Sequence, residues 1–151
     1  MKIEFISTDG APKAIGPYSQ AVIHGDLIFT AGQIALDPAT MEIVPGGITE
    51  QTQRVLTNLE AVLQAAGSDL SRVLKTTVFL SDMNHFKEIH AVRRRYFKEP
   101  YPASTMVEVS RLVSPEHLIE IEATAFIELK RSPKRRRAGG ARGRRSTRRA
   151  R

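Results

Sequence analysis

The sequence predicts one mixed α+β domain of order βββ-α-β-α-ββ, with two helices lying on one face of the sheet. Three observations predict it. Val55, Leu56, Leu59, Val62, Leu63 and Ala66 recur at helical spacing and form one apolar stripe. Ile119, Ile121, Ala123, Ala125, Ile127 and Leu129 alternate with Glu120, Glu122, Thr124, Phe126 and Glu128, the two-residue period of a strand. Val73 to Ser81, rich in β-branched residues, reads as a further strand between two helical segments.

The elements follow in order. The first strand is expected from Lys2 to Ser7, before a loop marked by Gly10-Ala11-Pro12 and Gly16-Pro17. Ala21-Val-Ile-His-Gly25 and Leu27-Ile-Phe-Thr30 read as a hairpin turning at Gly25-Asp26. Asp37-Pro38 and Pro45-Gly46-Gly47 enclose a second loop. Thr49 is the expected cap of the first helix, with Glu50 in its first turn and Gly67 as its left-handed stop. Asp82 or Asn84 starts the second helix, whose buried side is expected to carry Phe86, Ile89, Val92 and Tyr96. Glu99-Pro100 and Tyr101-Pro102 end it, and two strands close the domain, from Thr105 to Leu112 and from Leu118 to Leu129.

Length and composition agree with one modest core. The chain has 151 residues, 41% of them hydrophobic, and no stretch of 18 apolar residues for a membrane helix. It has no cysteine, which excludes disulfides, a thiol nucleophile and a thiolate metal site. No signal peptide is legible in Met1 to Ile6, so the cytoplasm is the expected location. The net charge of +7 belongs to one end of the chain. Residues 131–151 hold eleven Lys or Arg and no acid, leaving 12 of the 23 basic residues against all 16 acids, a net of −4 for residues 1–130. The expected division is a folded domain over 1–130 and a disordered Arg-rich tail over 131–151, because that tail has nothing apolar to bury.

The segment Pro102-Ala-Ser-Thr-Met-Val-Glu-Val-Ser-Arg-Leu112, followed by Ile119-Glu-Ile-Glu-Ala-Thr-Ala125, resembles the signature of the RidA (YjgF) family. Ala14-Ile-Gly-Pro-Tyr-Ser-Gln-Ala21, Phe29-Thr-Ala-Gly-Gln-Ile34 and Leu74-Lys-Thr-Thr-Val-Phe-Leu80 are similar to three further family motifs, in the same order. The resemblance covers nearly all of residues 3–128. It implies a chorismate-mutase-like fold, three subunits around a central barrel, and pockets in the clefts between subunits. The implied activity is hydrolysis of reactive imines and enamines, such as 2-iminobutanoate, to keto acids and ammonia, with no cofactor.

That chemistry asks for a cation to hold the carboxylate, a group to orient water, and donors for the imine end. The resemblance assigns Glu120 to the water and Tyr18 to the pocket, the two expected catalytic residues. Ala31, Gly32, Ser104, Thr105, Met106 and His90 are the expected substrate-binding positions. Read without the resemblance, Glu120 is equally a partly solvated or interface carboxylate, Tyr18 a packing aromatic, and Gly32 a strand bulge. Ser104 is the main departure, because the family carries its carboxylate-binding Arg there. Losing a charge-assisted hydrogen bond costs about 1.5–3 kcal/mol, about 100-fold in turnover at the upper end. Ala31 replaces a frequent Ser, Met106 a frequent Cys, and His90 a frequent Asn. Arg111 matches an additional family arginine, and Arg93, Arg94 or Arg95 of a neighbouring subunit is a candidate substitute cation.

Other chemistries fit poorly. His85 and Glu88 share a helix face, but His90 points away from both, and no metal site is expected. Ser104 lacks the His–acid partnership of a serine nucleophile. The basic tail suits salt-sensitive binding of RNA or another polyanion, without an aromatic for base stacking. Three readings therefore stand: an imine deaminase with altered or weakened substrate choice, a non-catalytic ligand-binding or regulatory trimer, and an RNA-associated protein acting through its tail.

Overall fold

The structure, a computed structural model, describes residues 2–128. Its elements are β1 (Ile3–Ile6), β2 (Ala21–His24), β3 (Leu27–Thr30), α1 (Ile48–Ala65), β4 (Val73–Leu80), α2 (Phe86–Tyr96), β5 (Ala103–Glu108) and β6 (Ile119–Phe126). The expected order βββ-α-β-α-ββ is the observed one. The strands form a single sheet in the order β1-β2-β3-β6-β4-β5. Every neighbouring pair is antiparallel except β4 and β5, which run parallel because α2 carries the chain back across the sheet. The sheet of one chain is open, with β1 and β5 as its edges, and is not itself a barrel.

The alternation read in the last strand decides the layering. Ile119, Ile121, Ala123 and Ala125 are buried, together with the α1 stripe Val55, Leu56, Leu59, Val62 and Leu63 and with Ile89 and Val92 of α2. Both helices thus cover one face. The opposite face carries Glu120, Glu122, Thr124 and Phe126 and is not covered by either helix. Phe5 is 70% exposed and Phe29 47% exposed there, in register with the open side of their neighbours.

Several local expectations shift. The cap of α1 is Gly47, not Thr49, because Glu50 Oε2 reaches back to accept the Gly47 N–H at 2.8 Å. Gly67 stops α1 at φ 80°, as expected. Asp82 caps a short 3₁₀ turn, Met83–His85, by accepting the Asn84 N–H at 2.8 Å, and α2 begins only at Phe86. Phe86 is 48% exposed instead of buried, its ring tilted against His90 at 4.2 Å. The inward place on α2 goes to Arg93, one turn beyond Ile89. β5 ends at Glu108 instead of Leu112, where the parallel pairing with β4 runs out at Leu80. The tail 131–151 lies outside the described residues.

Candidate active site

The loop after β3 is pinned before it reaches any ligand. Gln33 and Ile121 exchange both backbone hydrogen bonds, at 2.9 and 3.1 Å, so the loop extends the sheet alongside β6. Asn58, fully buried on α1, donates through Nδ2 to the carbonyls of Ile34 at 3.1 Å and Leu36 at 2.9 Å. Gln20 ties down the N-terminal loop by donating to the carbonyls of Pro12 at 2.8 Å and Thr8 at 3.0 Å while accepting the Thr8 N–H at 2.6 Å. These buried amides serve backbone groups that no regular ladder reaches.

That scaffold lays Glu120 directly over Gly32. A Cβ on Gly32 would overlap Glu120 Oε1 and lie 2.8 Å from its Cδ. Tyr18, Ala31, Gly32 and Glu120 share one open cleft of about 450 Å³ with Ile15, Ile34 and Val113. The Tyr18 hydroxyl accepts the Ile15 N–H at 3.1 Å, which leaves its own proton for a ligand. Burial pushes the Glu120 carboxyl above the usual carboxylate range, and the neighbouring Glu122 charge adds to the push. A carboxylate so placed is a stronger base than a solvated one and retains its proton more readily.

Ser104 and His90 lie in a different cleft. It holds about 230 Å³ and is lined by His90, Arg93, Arg94, Phe97, Tyr101, Pro102 and Ser104. Ser104 is paired with Thr76 across β4 and β5, on the helix side of the sheet. There Arg93 Nη2 donates to Thr76 Oγ1 and to Ser104 Oγ, each at 3.0 Å, and Thr76 donates to Ser104 Oγ at 3.0 Å. The Arg93 guanidinium also lies over the Phe97 ring, 5.8 Å from its centre. An arginine of the same chain thus stands beside Ser104, because α2 turns Arg93 toward Thr76 of β4 and Ser104 of β5. Burial lowers the His90 pKa, and the Arg93 and Arg94 charges lower it further, so this imidazole favours its neutral form.

The eight expected site residues are therefore not one cluster within a chain. Glu120 faces the open side of the sheet and Ser104 the helix side, with β4 between their strands. Two strand spacings, about 10 Å, and the thickness of the sheet separate the two clefts. Thr105 is exposed on the open side of β5, in line with Thr77 and Glu122. Met106 turns to the helix side and packs against the core, so its side chain lines neither cleft. Arg111 is exposed in the loop after β5. Sequence reasoning offered Arg93 only as one of three cations reaching in from a neighbouring subunit, and did not see its place beside Ser104 in its own chain. Its signal was present: it follows Ile89 by four positions and Val92 by one, on the buried stripe, and the inward polar Thr76 awaits it on β4.

Residues 8–127 match the family model described as endoribonuclease L-PSP. A RutC family protein of Pyrococcus horikoshii is 54% identical over 83% of this chain and 98% of its own length. A 2-iminobutanoate/2-iminopropanoate deaminase of Bos taurus is 43% identical over 81% of this chain and 88% of its own. The crystal structure of RidA from the Antarctic bacterium Psychrobacter superposes with a TM-score of 0.79 at 39% identity, over 82% of this chain and 99% of that one.

Proposed function

The chain belongs to the RidA (YjgF) family, and from that premise we propose that it hydrolyses reactive imines and enamines of the 2-iminobutanoate and 2-iminopropanoate type to keto compounds and ammonia. The observation that carries the reading is the Glu120 carboxyl, half-buried over Gly32, in one cleft with Tyr18. Hydrolysis of C=N adds water to the imine carbon to give a carbinolamine, which then expels ammonia to leave the carbonyl. Glu120 takes a proton from the water as its oxygen bonds to carbon, and passes that proton to the nitrogen that receives the C=N electron pair, giving the carbinolamine. It then takes the carbinolamine hydroxyl proton and delivers it to the nitrogen as the C–N bond breaks, so that ammonia leaves and the carbonyl forms. Both steps suit a carboxyl whose proton affinity burial raises above that of a solvated carboxylate. Tyr18 donates to the imine end, and the backbone at Gly32 admits the substrate closely because no Cβ stands in the way.

In the same reading the two clefts meet between subunits of a homotrimer. Glu120 and Ser104 lie too far apart in one chain to touch one small substrate. The open sheet face, with Phe5, Phe29 and Val107 exposed beside Glu120 and Glu122, is the surface that partner subunits would cover. Closing three such faces on one another also removes the exposed sheet edges. The paired carboxylates on that face favour an imine over a polyanion, which weighs against RNA cleavage by the folded domain.

The test generates 2-iminobutanoate in situ and follows ammonia release, with mass by light scattering in parallel. Wild type should accelerate release, Glu120→Ala should lose about 10²–10⁴-fold, and the mass should be that of three chains. No acceleration by wild type leaves the non-catalytic ligand-binding reading in its place, and a monomer undoes the shared pocket.

A further inference from the structure

Arg93 is a buried cation without an anion among the described residues. It is 8% exposed, and its Nη2 is committed to the neutral hydroxyls of Thr76 and Ser104. Its Nε is buried with no hydrogen-bond partner. Among the described residues it forms no ion pair. Two hydroxyls satisfy donors but do not neutralise a charge, and buried guanidinium groups are ordinarily paired with carboxylate or phosphate. The same guanidinium lines the 230 Å³ cleft, with Tyr101 and a His90 that favours its neutral form. Among the described residues, no acidic side chain lines that cleft. Ser104 Oγ accepts from both Thr76 and Arg93, so its own proton is left to donate outward.

We propose that Arg93 and Ser104 together form the carboxylate-binding subsite, the cation being carried by helix α2 and the hydroxyl by strand β5. Ser104 buttresses the guanidinium and supplies a second donor to the bound anion. The substrate class that follows is the imino acid, an imine bearing a carboxylate, in preference to a neutral imine. The inference rests on the deaminase reading for its substrate, but not for the anion site itself. A carboxylate of matching size binds there whether or not turnover occurs.

Two measurements separate the two claims. Binding of 2-oxobutanoate, a stable carboxylate of the product type, is measured by calorimetry on the full chain for wild type, Arg93→Met and Arg93→Lys. Turnover is measured on 2-iminobutanoate and on an imine lacking the carboxylate. Arg93→Met should weaken 2-oxobutanoate about 10- to 100-fold, the loss expected of one or two charge-assisted hydrogen bonds. It should lower kcat/KM for the imino acid by a similar factor more than for the carboxylate-free imine, and Arg93→Lys should retain part of the preference. The melting temperature of Arg93→Met should equal or exceed that of wild type, because an unpaired buried charge is removed. Equal losses on both substrates, or an unchanged 2-oxobutanoate affinity in Arg93→Met, overturn the subsite. If wild type turns over neither imine but binds 2-oxobutanoate through Arg93, the deaminase reading falls and the anion subsite stands. If wild type neither binds nor turns over, both fall.

Discussion

Glu120 lies so close over Gly32 that the glycine has no room for a side chain: a Cβ there would overlap one carboxylate oxygen and stand 2.8 Å from Cδ. Gly32 is not in the left-handed region, so the requirement is one of space and not of backbone strain. Gly32→Ala should therefore push the Glu120 carboxyl out of its place while leaving the strand pairing through Gln33 intact. Ammonia release should fall about 10²-fold, the lower range for losing a positioned general acid–base. Circular dichroism and melting should change little. Retention of full activity would falsify the placement of the catalytic carboxyl over this glycine.

The pH profile reports on the pair Glu120 and Glu122. Burial first, and then the Glu122 charge, raise the Glu120 pKa. As a base, Glu120 must be ionised, so kcat/KM should decline as pH falls through a value above the ordinary carboxylate range. Removing the neighbouring charge in Glu122→Gln should move that acid limb to lower pH. The stability consequence has the opposite sense. A folded-state pKa above the unfolded one means the folded chain holds the proton longer, so this contribution is present at low pH and is lost as pH rises through the raised value. Glu120→Gln should flatten that dependence and raise the melting temperature near neutrality. A limb unmoved by Glu122→Gln would show that Glu120 does not set it.

Ser104→Arg is expected to fail as a repair. The position is occupied from the side by Arg93, whose Nη2 sits 3.0 Å from Ser104 Oγ. A second guanidinium would meet the first across the same cleft, and like charges at close range destabilise. The variant should melt lower than wild type and gain no imino-acid turnover. In an Arg93→Met background the same Ser104→Arg change should recover part of the lost turnover. A large gain from Ser104→Arg alone would mean that the wild-type cleft has no working cation.

Asn58 holds the loop that carries Gly32 from behind. Asn58→Ala leaves the buried Leu36 carbonyl without its donor, while the Ile34 carbonyl keeps the Leu36 N–H at 2.9 Å. A cost of about 1–3 kcal/mol follows from one unmet buried acceptor and a small cavity. Chemical denaturation measures it directly, and a change below about 0.5 kcal/mol, the range of ordinary surface substitutions, would contradict this role.

The tail is predicted from charge alone. Deleting residues 131–151 removes eleven cations and leaves a domain of net −4 up to residue 130. Retention on an RNA column should be present in the full chain, fall steeply with salt, and vanish in the truncated protein. Ammonia release should be unaffected. Salt-sensitive retention by the truncated protein would move the polyanion affinity to the folded domain.

The sequence by itself determined the element order and the two faces of β6, because a two-residue alternation leaves only one way to bury Ile119, Ile121, Ala123 and Ala125. It also singled out Glu120, Gly32 and Tyr18 through the family resemblance, and the structure brings these three into one cleft where the loop after β3 runs beside β6. Cap positions and strand ends were less legible, since they depend on single contacts such as that of Glu50 with Gly47. The tertiary structure alone decided the fate of the carboxylate side. In the sequence, Ser104 reads as an arginine lost, and Arg93 as one of three consecutive charges on a helix. Only the packing of α2 against β4 and β5 turns Arg93 inward between Thr76 and Ser104. A charge can be supplied to one point in space from any element that passes it, and which element does so is set by contacts eleven and seventeen residues apart in the chain, beyond the reach of any local pattern.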